Sequence, residues 1–118
     1  MLALNFYTEL YGEQLKSGRK SATIRLGDKS AKYTSGQVVW ITTGQRYARR
    51  KKLFCAIVDK VDVKPLDELS PRDIQRENPE FRTLDDVIKL LTHIYGEQVS
   101  PEQTVTIIYF SPIEEYEL

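Results

Sequence analysis

Cysteine and histidine are almost missing. The 118-residue chain has one of each, Cys55 and His93. A single cysteine forms no internal disulfide. One Cys and one His cannot furnish a Cys/His zinc site, which excludes the zinc nucleobase deaminases. A Ser-His-Asp arrangement has only His93 to draw on. Neither a G-x-x-x-x-G-K-[ST] loop nor a G-x-G-x-x-G turn occurs, so the two common glycine-rich phosphate cradles are absent. No apolar run approaches the ~20 residues of a membrane span, so no membrane partner is expected. The opening MLALNFYTEL has no basic n-region, long apolar stretch or small-residue cleavage site. No signal peptide is expected, and a cytoplasmic location is the default expectation.

Net charge is absent as well, with 17 Lys+Arg against 17 Asp+Glu. The zero hides a division. Residues 1–60 hold 12 basic and 4 acidic residues, and residues 61–118 hold 5 and 13. If the fold keeps these halves apart, one face suits an anionic partner. What is present is an ordinary globular composition, 41% hydrophobic and 29% charged. The length fits one domain and needs no disulfide or metal to hold a core.

Periodicity gives the elements. Residues 8–17 place Leu10, Gln14 and Leu15 at helical spacing, with Gly18 as a stop. Residues 21–26 alternate, Ala22 and Ile24 against Ser21, Thr23 and Arg25, as a strand with one apolar and one polar face. Residues 37–42 are a β-branched strand, residues 43–52 a polar, basic connection, and 53–63 a long strand ended by Pro65. Cys55 sits in the apolar run 53–58 and reads as a small buried hydrophobe. Ser70-Pro71-Arg72-Asp73 starts a short helix that stops before Pro79. Thr83 to Asp86 starts another, with Leu84, Val87, Ile88, Leu91, Ile94 and Tyr95 on one stripe and Gly96 as its cap. His93 lies off that stripe and reads as exposed and inert. Residues 104–110 form a strand with both faces partly apolar, and 114–117 a solvated tail. The order is helix, three strands, two helices, strand, which suits a curled sheet or barrel with helices on one side.

The densest chemistry is Gly18-Arg19-Lys20-Ser21-Ala22-Thr23-Ile24-Arg25. Thr23 and Arg25 share one strand face roughly 7 Å apart. Lys20 enters from the preceding turn, so an amine, a hydroxyl and a guanidinium can converge. Alone, such a segment is more often a solvated strand face, and Glu77 surface decoration.

Gly18-x-Lys20-x-x-Thr23-x-Arg25 resembles the G-x-K-x-x-T-x-R signature of the ASCH family, small α+β domains with a PUA-like mixed β-barrel flanked by short helices. Further landmarks are similar to the bacterial N(4)-acetylcytidine amidohydrolases: Phe54-Cys55-Ala56-Ile57, Gln75-Arg76-Glu77-Asn78, Ile94-Tyr95 and Ile108-Tyr109-Phe110. The chain departs from that pattern between Trp40 and Leu53, where it is longer and more basic. The resemblance implies a single ASCH domain over residues 1–118. It implies removal of acetyl from an acylated cytidine with no metal and no cofactor. In that class the threonine, here Thr23, is the nucleophile, Lys20 the general base, and Glu77 completes the set. Arg25, Arg19 and Ser21 are the expected substrate contacts. A lysine acts as base only when neutral; burial and a nearby cation such as Arg25 lower its pKa, while a nearby carboxylate raises it. Glu77 is open to three uses: orienting Lys20, activating water, or protonating the leaving amine. Arg25 is open to two: holding an oxyanion or a phosphate.

Arg46-Tyr47-Ala48-Arg49-Arg50-Lys51-Lys52 carries five cations around one aromatic. Cations neutralise phosphates and Tyr stacks on bases, so Arg46, Tyr47, Arg49, Arg50 and Lys51 are candidate RNA contacts. A solvated connection accounts for them equally well. The competing function is thus a non-catalytic RNA-binding ASCH module. A protein-interaction module using the acidic helices ranks last.

Overall fold

The computed structural model describes residues 1–6, 10–45 and 47–113, Leu10 by its backbone alone. The chain runs β1 (Ala3–Phe6), α1 (Leu10–Lys16), β2 (Ala22–Leu26), β3 (Val38–Thr43), β4 (Lys51–Pro65), α2 (Pro71–Glu77), α3 (Leu84–Tyr95) and β5 (Thr104–Pro112). A 3-10 turn, Leu66–Glu68, joins β4 to α2. The sheet order is β1-β3-β4-β5-β2. β1 pairs parallel with β3, and the other pairs are antiparallel.

β1 and β2 lie at opposite ends of this order. In a flat sheet four spacings would separate them by ~19 Å. Yet Arg25 Nη2 on β2 donates to the Asn5 carbonyl on β1 at 3.0 Å. The sheet therefore curls into a half-barrel whose open seam is bridged by a side chain. β4 makes the curl: its 15 residues pair first with β3, then with β5, and the register shifts at Val58/Lys60. Such a bulge adds the bend and twist that closure needs.

Alternation sorts the side chains into two cores. Ile108 and Phe110 face the inside of the half-barrel with Leu4, Val39, Ile41 and Val58. Val105, Ile107 and Tyr109 face the helices, against Ala22, Ile24, Ile74, Val87 and Leu91. Since Ala22 and Ile24 turn to the helices, Thr23 and Arg25 turn into the half-barrel. This is the small α+β, PUA-like architecture that the resemblance implied.

Both expected helix starts are present. Ser70 and Asp73 form a capping box with Pro71 at the first position, and Thr83 and Asp86 form another. Gly96 closes α3 in the left-handed region, φ 72°. Five details differ. β1 adds a strand before the first helix. β4 begins at Lys51, so part of the basic connection is strand. Cys55 is half-buried, because it shares a face of β4 with the exposed Ile57, opposite the buried Ala56 and Val58. Ile94 and Tyr95 are well exposed at the end of α3 and do not pack in its core. The two charge halves do not form two faces, because β5 inserts between β4 and β2. The expected tail, 114–117, lies outside the described residues, as does the start of the helix expected over 8–17.

Asp73 fastens α2 to the sheet. Its carboxylate accepts from Lys64 Nζ at 2.8 Å, from Ser70 N at 3.0 Å and from the Tyr109 hydroxyl. Burial would raise this carboxyl, but the bonds from Lys64, Tyr109 and Ser70 outweigh it and hold the pKa at about 2. Burial and Asp73 push the Tyr109 phenol up. The folded value of Asp73 lies below the unfolded ~3.9. The clamp thus adds stability above about pH 4 and loses it as pH falls towards 2. Urea unfolding of the native protein and Asp73→Asn across this range should show a stability gap that narrows below about pH 4. A gap of constant size would contradict the assignment.

Candidate active site

The turn from α1 into β2 sets the first group. Gly18 takes φ 77°, which a side chain would strain. Lys20 N then donates to the Gln14 carbonyl at 3.0 Å, and the lysine side chain turns inward. It is 1% exposed. A buried ammonium needs a partner for each N–H, and Lys20 Nζ has them. It donates to the Ala22 carbonyl at 2.8 Å, to the Glu77 carbonyl at 2.6 Å, and pairs with the Glu77 carboxylate. The Tyr11 and Phe6 rings lie 4.5 and 5.2 Å from the nitrogen.

Glu77 arrives from the last turn of α2 and is 3% exposed. Asn78 and Pro79 end that helix, so the carboxylate is held at its tip. Burial, then the Arg25 charge, push the Lys20 ammonium well below its ordinary value. The Glu77 carboxylate in contact opposes them. The two groups therefore titrate as a unit. Passing one proton from Nζ to the carboxylate changes no net charge, so the low-dielectric surroundings oppose it less than they oppose ionising either group alone.

Thr23, 3% exposed, accepts a hydrogen bond from Arg25 Nε at 3.0 Å. Its hydroxyl proton is left for another acceptor. Arg25 also donates to Asn5 O, and its guanidinium lies 5.3 Å from the Phe6 ring. Asn5 is fixed in turn by Thr42 Oγ1 at 2.8 Å and by its own bond to Gly44 O at 3.0 Å.

These groups border a cavity of about 970 Å³ at the seam of the half-barrel. Thr23, Arg25 and Glu77 line it, and the Glu77 partner Lys20 sits behind that lining. Phe6 and Tyr11 form one wall, and Gln14 and Asn78 another. Phe81, His93 and Tyr95 stand at the α3 side. A second cavity of about 460 Å³ lies between Lys60, Arg72 and Arg76 over Tyr109, and it shares no residue with the first.

The structure therefore brings Lys20, Thr23, Glu77 and Arg25 together from three elements. Arg19 and Ser21 do not line the cavity. Arg19 is exposed in the turn. Ser21 precedes β2 and is tied to α2: its N–H donates to Arg76 O and its hydroxyl accepts from Arg76 Nε. The basic stretch is exposed on the β3–β4 connection. Tyr47 is 94% exposed, Arg49, Arg50 and Lys51 are exposed, and Lys52 Nζ lies 4.5 Å from the Trp40 ring. Gln45, just before it, lines the cavity. Arg46 lies outside the described residues. His93 is exposed as expected, yet it borders the cavity. Asn5, Phe6, Tyr11, Gln14 and Asn78 are site residues that the sequence did not disclose. The only signal was Asn78 beside Glu77.

The class defined is a PUA-like half-barrel with a cavity of mixed polar and apolar lining at its seam. No protein-family model matches the sequence, and no curated protein does. Solved structures do match. One, from Enterococcus faecalis V583 and assigned to DUF984, is 20% identical, with TM-score 0.70, and the match covers 96% of this chain and 76% of that one. An ASCH domain from Lactobacillus crispatus JV V101 is 11% identical, with TM-score 0.67 and coverage of 94% and 79%. A protein described only as hypothetical is 20% identical, with TM-score 0.68 and coverage of 96% and 100%. At these identities the likeness establishes a common fold, the one an ASCH domain adopts.

The buried pair sets a stability test. Removing one partner strands a buried charge, which costs about 3–5 kcal/mol. Lys20→Met and Glu77→Leu should each lower unfolding free energy by that order. The double variant should lose clearly less than the sum, measured by urea denaturation. Additive losses would show that the two groups are not coupled.

Proposed function

We propose that the chain is an ASCH-domain amidohydrolase. Its substrate is N(4)-acetylcytidine or a related acylated nucleoside, and its products are cytidine and acetate. The observation that carries this reading is the buried Lys20–Glu77 pair at a cavity that Thr23 and Glu77 both line, large enough for a nucleoside. A hydroxyl nucleophile needs a base, and a buried lysine that can pass its proton to a carboxylate supplies one.

The reaction runs in two halves. Glu77 takes the proton that frees the Lys20 amine. Thr23 Oγ1 attacks the acetyl carbonyl as Lys20 takes the hydroxyl proton. The C–N bond breaks, the departing exocyclic nitrogen receives a proton from the pair, and acetyl is left on Thr23. Water, deprotonated by the same pair, then releases acetate and restores the threonine. Arg25 lies against Thr23 Oγ1 and stabilises the negative charge that grows on the reacting oxygens.

A second reading is RNA binding without chemistry, favoured by the exposed basic connection that follows Gln45. It predicts steeply salt-dependent RNA affinity weakened by Arg49→Ala with Arg50→Ala.

Acetate release from N(4)-acetylcytidine separates the two. Native protein should turn over. Thr23→Val, which keeps the strand's shape but lacks the hydroxyl, should lower kcat by at least about 10²-fold. Full activity in Thr23→Val would remove the nucleophile assignment. An inactive native protein that binds RNA would favour the second reading.

A further inference from the structure

The second cavity, of about 460 Å³, lies between α2 and the strands β4 and β5. Arg72 and Arg76 line it from α2, four residues apart, the spacing that puts two side chains on one helix face. Lys60 comes from β4 and Tyr109 from β5.

Arg76 is half-buried and held in one orientation. Its Nε donates to the Ser21 hydroxyl at 3.0 Å, and its guanidinium lies 4.6 Å from the centre of the Tyr109 ring. Its two terminal nitrogens have no partner among the described residues. A planar fork fixed in this way loses little freedom when it takes two oxygens of one anion. Arg72 is exposed and has neither a hydrogen bond nor an ion pair among the described residues.

The nearby carboxylates do not neutralise this pair. Asp73 is taken by Lys64, Ser70 and Tyr109. Asp62 pairs with Lys60 at 3.1 Å. Asp59 accepts from the Ser111 hydroxyl at 2.6 Å and makes no ion pair. With Lys64 set against Asp73 and Lys60 against Asp62, two guanidiniums face one carboxylate, and the excess is positive. Like charges at this helical spacing repel. An anion between them would turn that repulsion into attraction.

We propose that this cavity is a second binding site, for a phosphate group, held by the Arg76 and Arg72 guanidiniums. A phosphate ester on a sugar and a backbone phosphate of RNA present the same oxygens. The site shares no lining residue with the seam cavity. It still adjoins that cavity through the chain, since Arg76 precedes Glu77 and Ser21 follows Lys20. It needs no hydrolysis at the seam, so it stands or falls apart from the amidohydrolase reading.

Inorganic phosphate is titrated into native protein at low salt, with backbone amides followed by NMR. Amides of Ser21, Arg76 and Tyr109 should shift and saturate, while those of Asn5 and Gln45 at the seam stay in place. Arg72→Gln removes a side chain that makes no contact, so the fold is kept. It should weaken phosphate binding by at least about fivefold. Arg49→Ala with Arg50→Ala should leave that binding unchanged. Ribose 5-phosphate and a single-stranded RNA of about ten nucleotides then compete with phosphate for the same amides. Tighter binding of RNA, lost in Arg72→Gln, assigns the phosphate to a strand. Tighter binding of the sugar phosphate assigns it to a small ester. Either result supports the site. Equal phosphate affinity in native protein and Arg72→Gln overturns it, as do shifts that never saturate or that fall on the seam residues instead.

Discussion

A lysine ammonium buried beside a buried carboxylate is the constraint around which this molecule is arranged. Neither charge is tolerable alone in such a place. Together they need every remaining N–H of Lys20 satisfied, and two carbonyls do so: Ala22 at the start of β2 and Glu77 at the end of α2. The pair therefore ties the turn after α1, the first residue of β2 and the tip of α2 to one point. Asp73 fastens the other end of the same helix to β5. With both ends of α2 fixed, Glu77 has little freedom to leave Lys20.

A second side-chain link spans the open seam. β1 and β2 are the edge strands, and the link described between them is Arg25 reaching the Asn5 carbonyl. A barrel closed by backbone pairing would fill the seam with its ladder. Closure by a guanidinium leaves room for a cavity and places a fixed positive charge against Thr23. That charge also helps push the Lys20 ammonium down. Net charge, zero over the chain, describes none of this. Basic residues of the first half meet acidic residues of the second at Lys20–Glu77, and β5 lies between β4 and β2.

Much of this was legible in the sequence. Ser70 with Asp73 and Thr83 with Asp86 announced two helix starts, because capping is local chemistry. The β-branched runs announced β3, β4 and β5. β1 was not legible: it is four residues long, and Asn5 breaks its apolar pattern while serving as a buried hydrogen-bonding hub. The alternation in β2 showed that its faces differ but not which one is enclosed. Its polar face lies inside the half-barrel, since the helices take Ala22 and Ile24. Lys20, Thr23 and Arg25 stood out because they are neighbours in the chain. Tyr11, Gln14 and Asn78 did not, because only tertiary contact joins α1 to the end of α2. His93 lies off the apolar stripe of α3 because it borders a cavity, a position that periodicity alone does not distinguish from a solvated one.

In the proposed mechanism Thr23 carries the acyl group while the Lys20–Glu77 pair handles the proton. Acid-quenched single turnovers of excess enzyme with N(4)-acetylcytidine, followed by peptide mass spectrometry, test this most directly. One acetyl group should rise and decay on Thr23 as cytidine and then acetate appear. An acetyl group carried instead by Lys20 or another residue during productive turnover would contradict it.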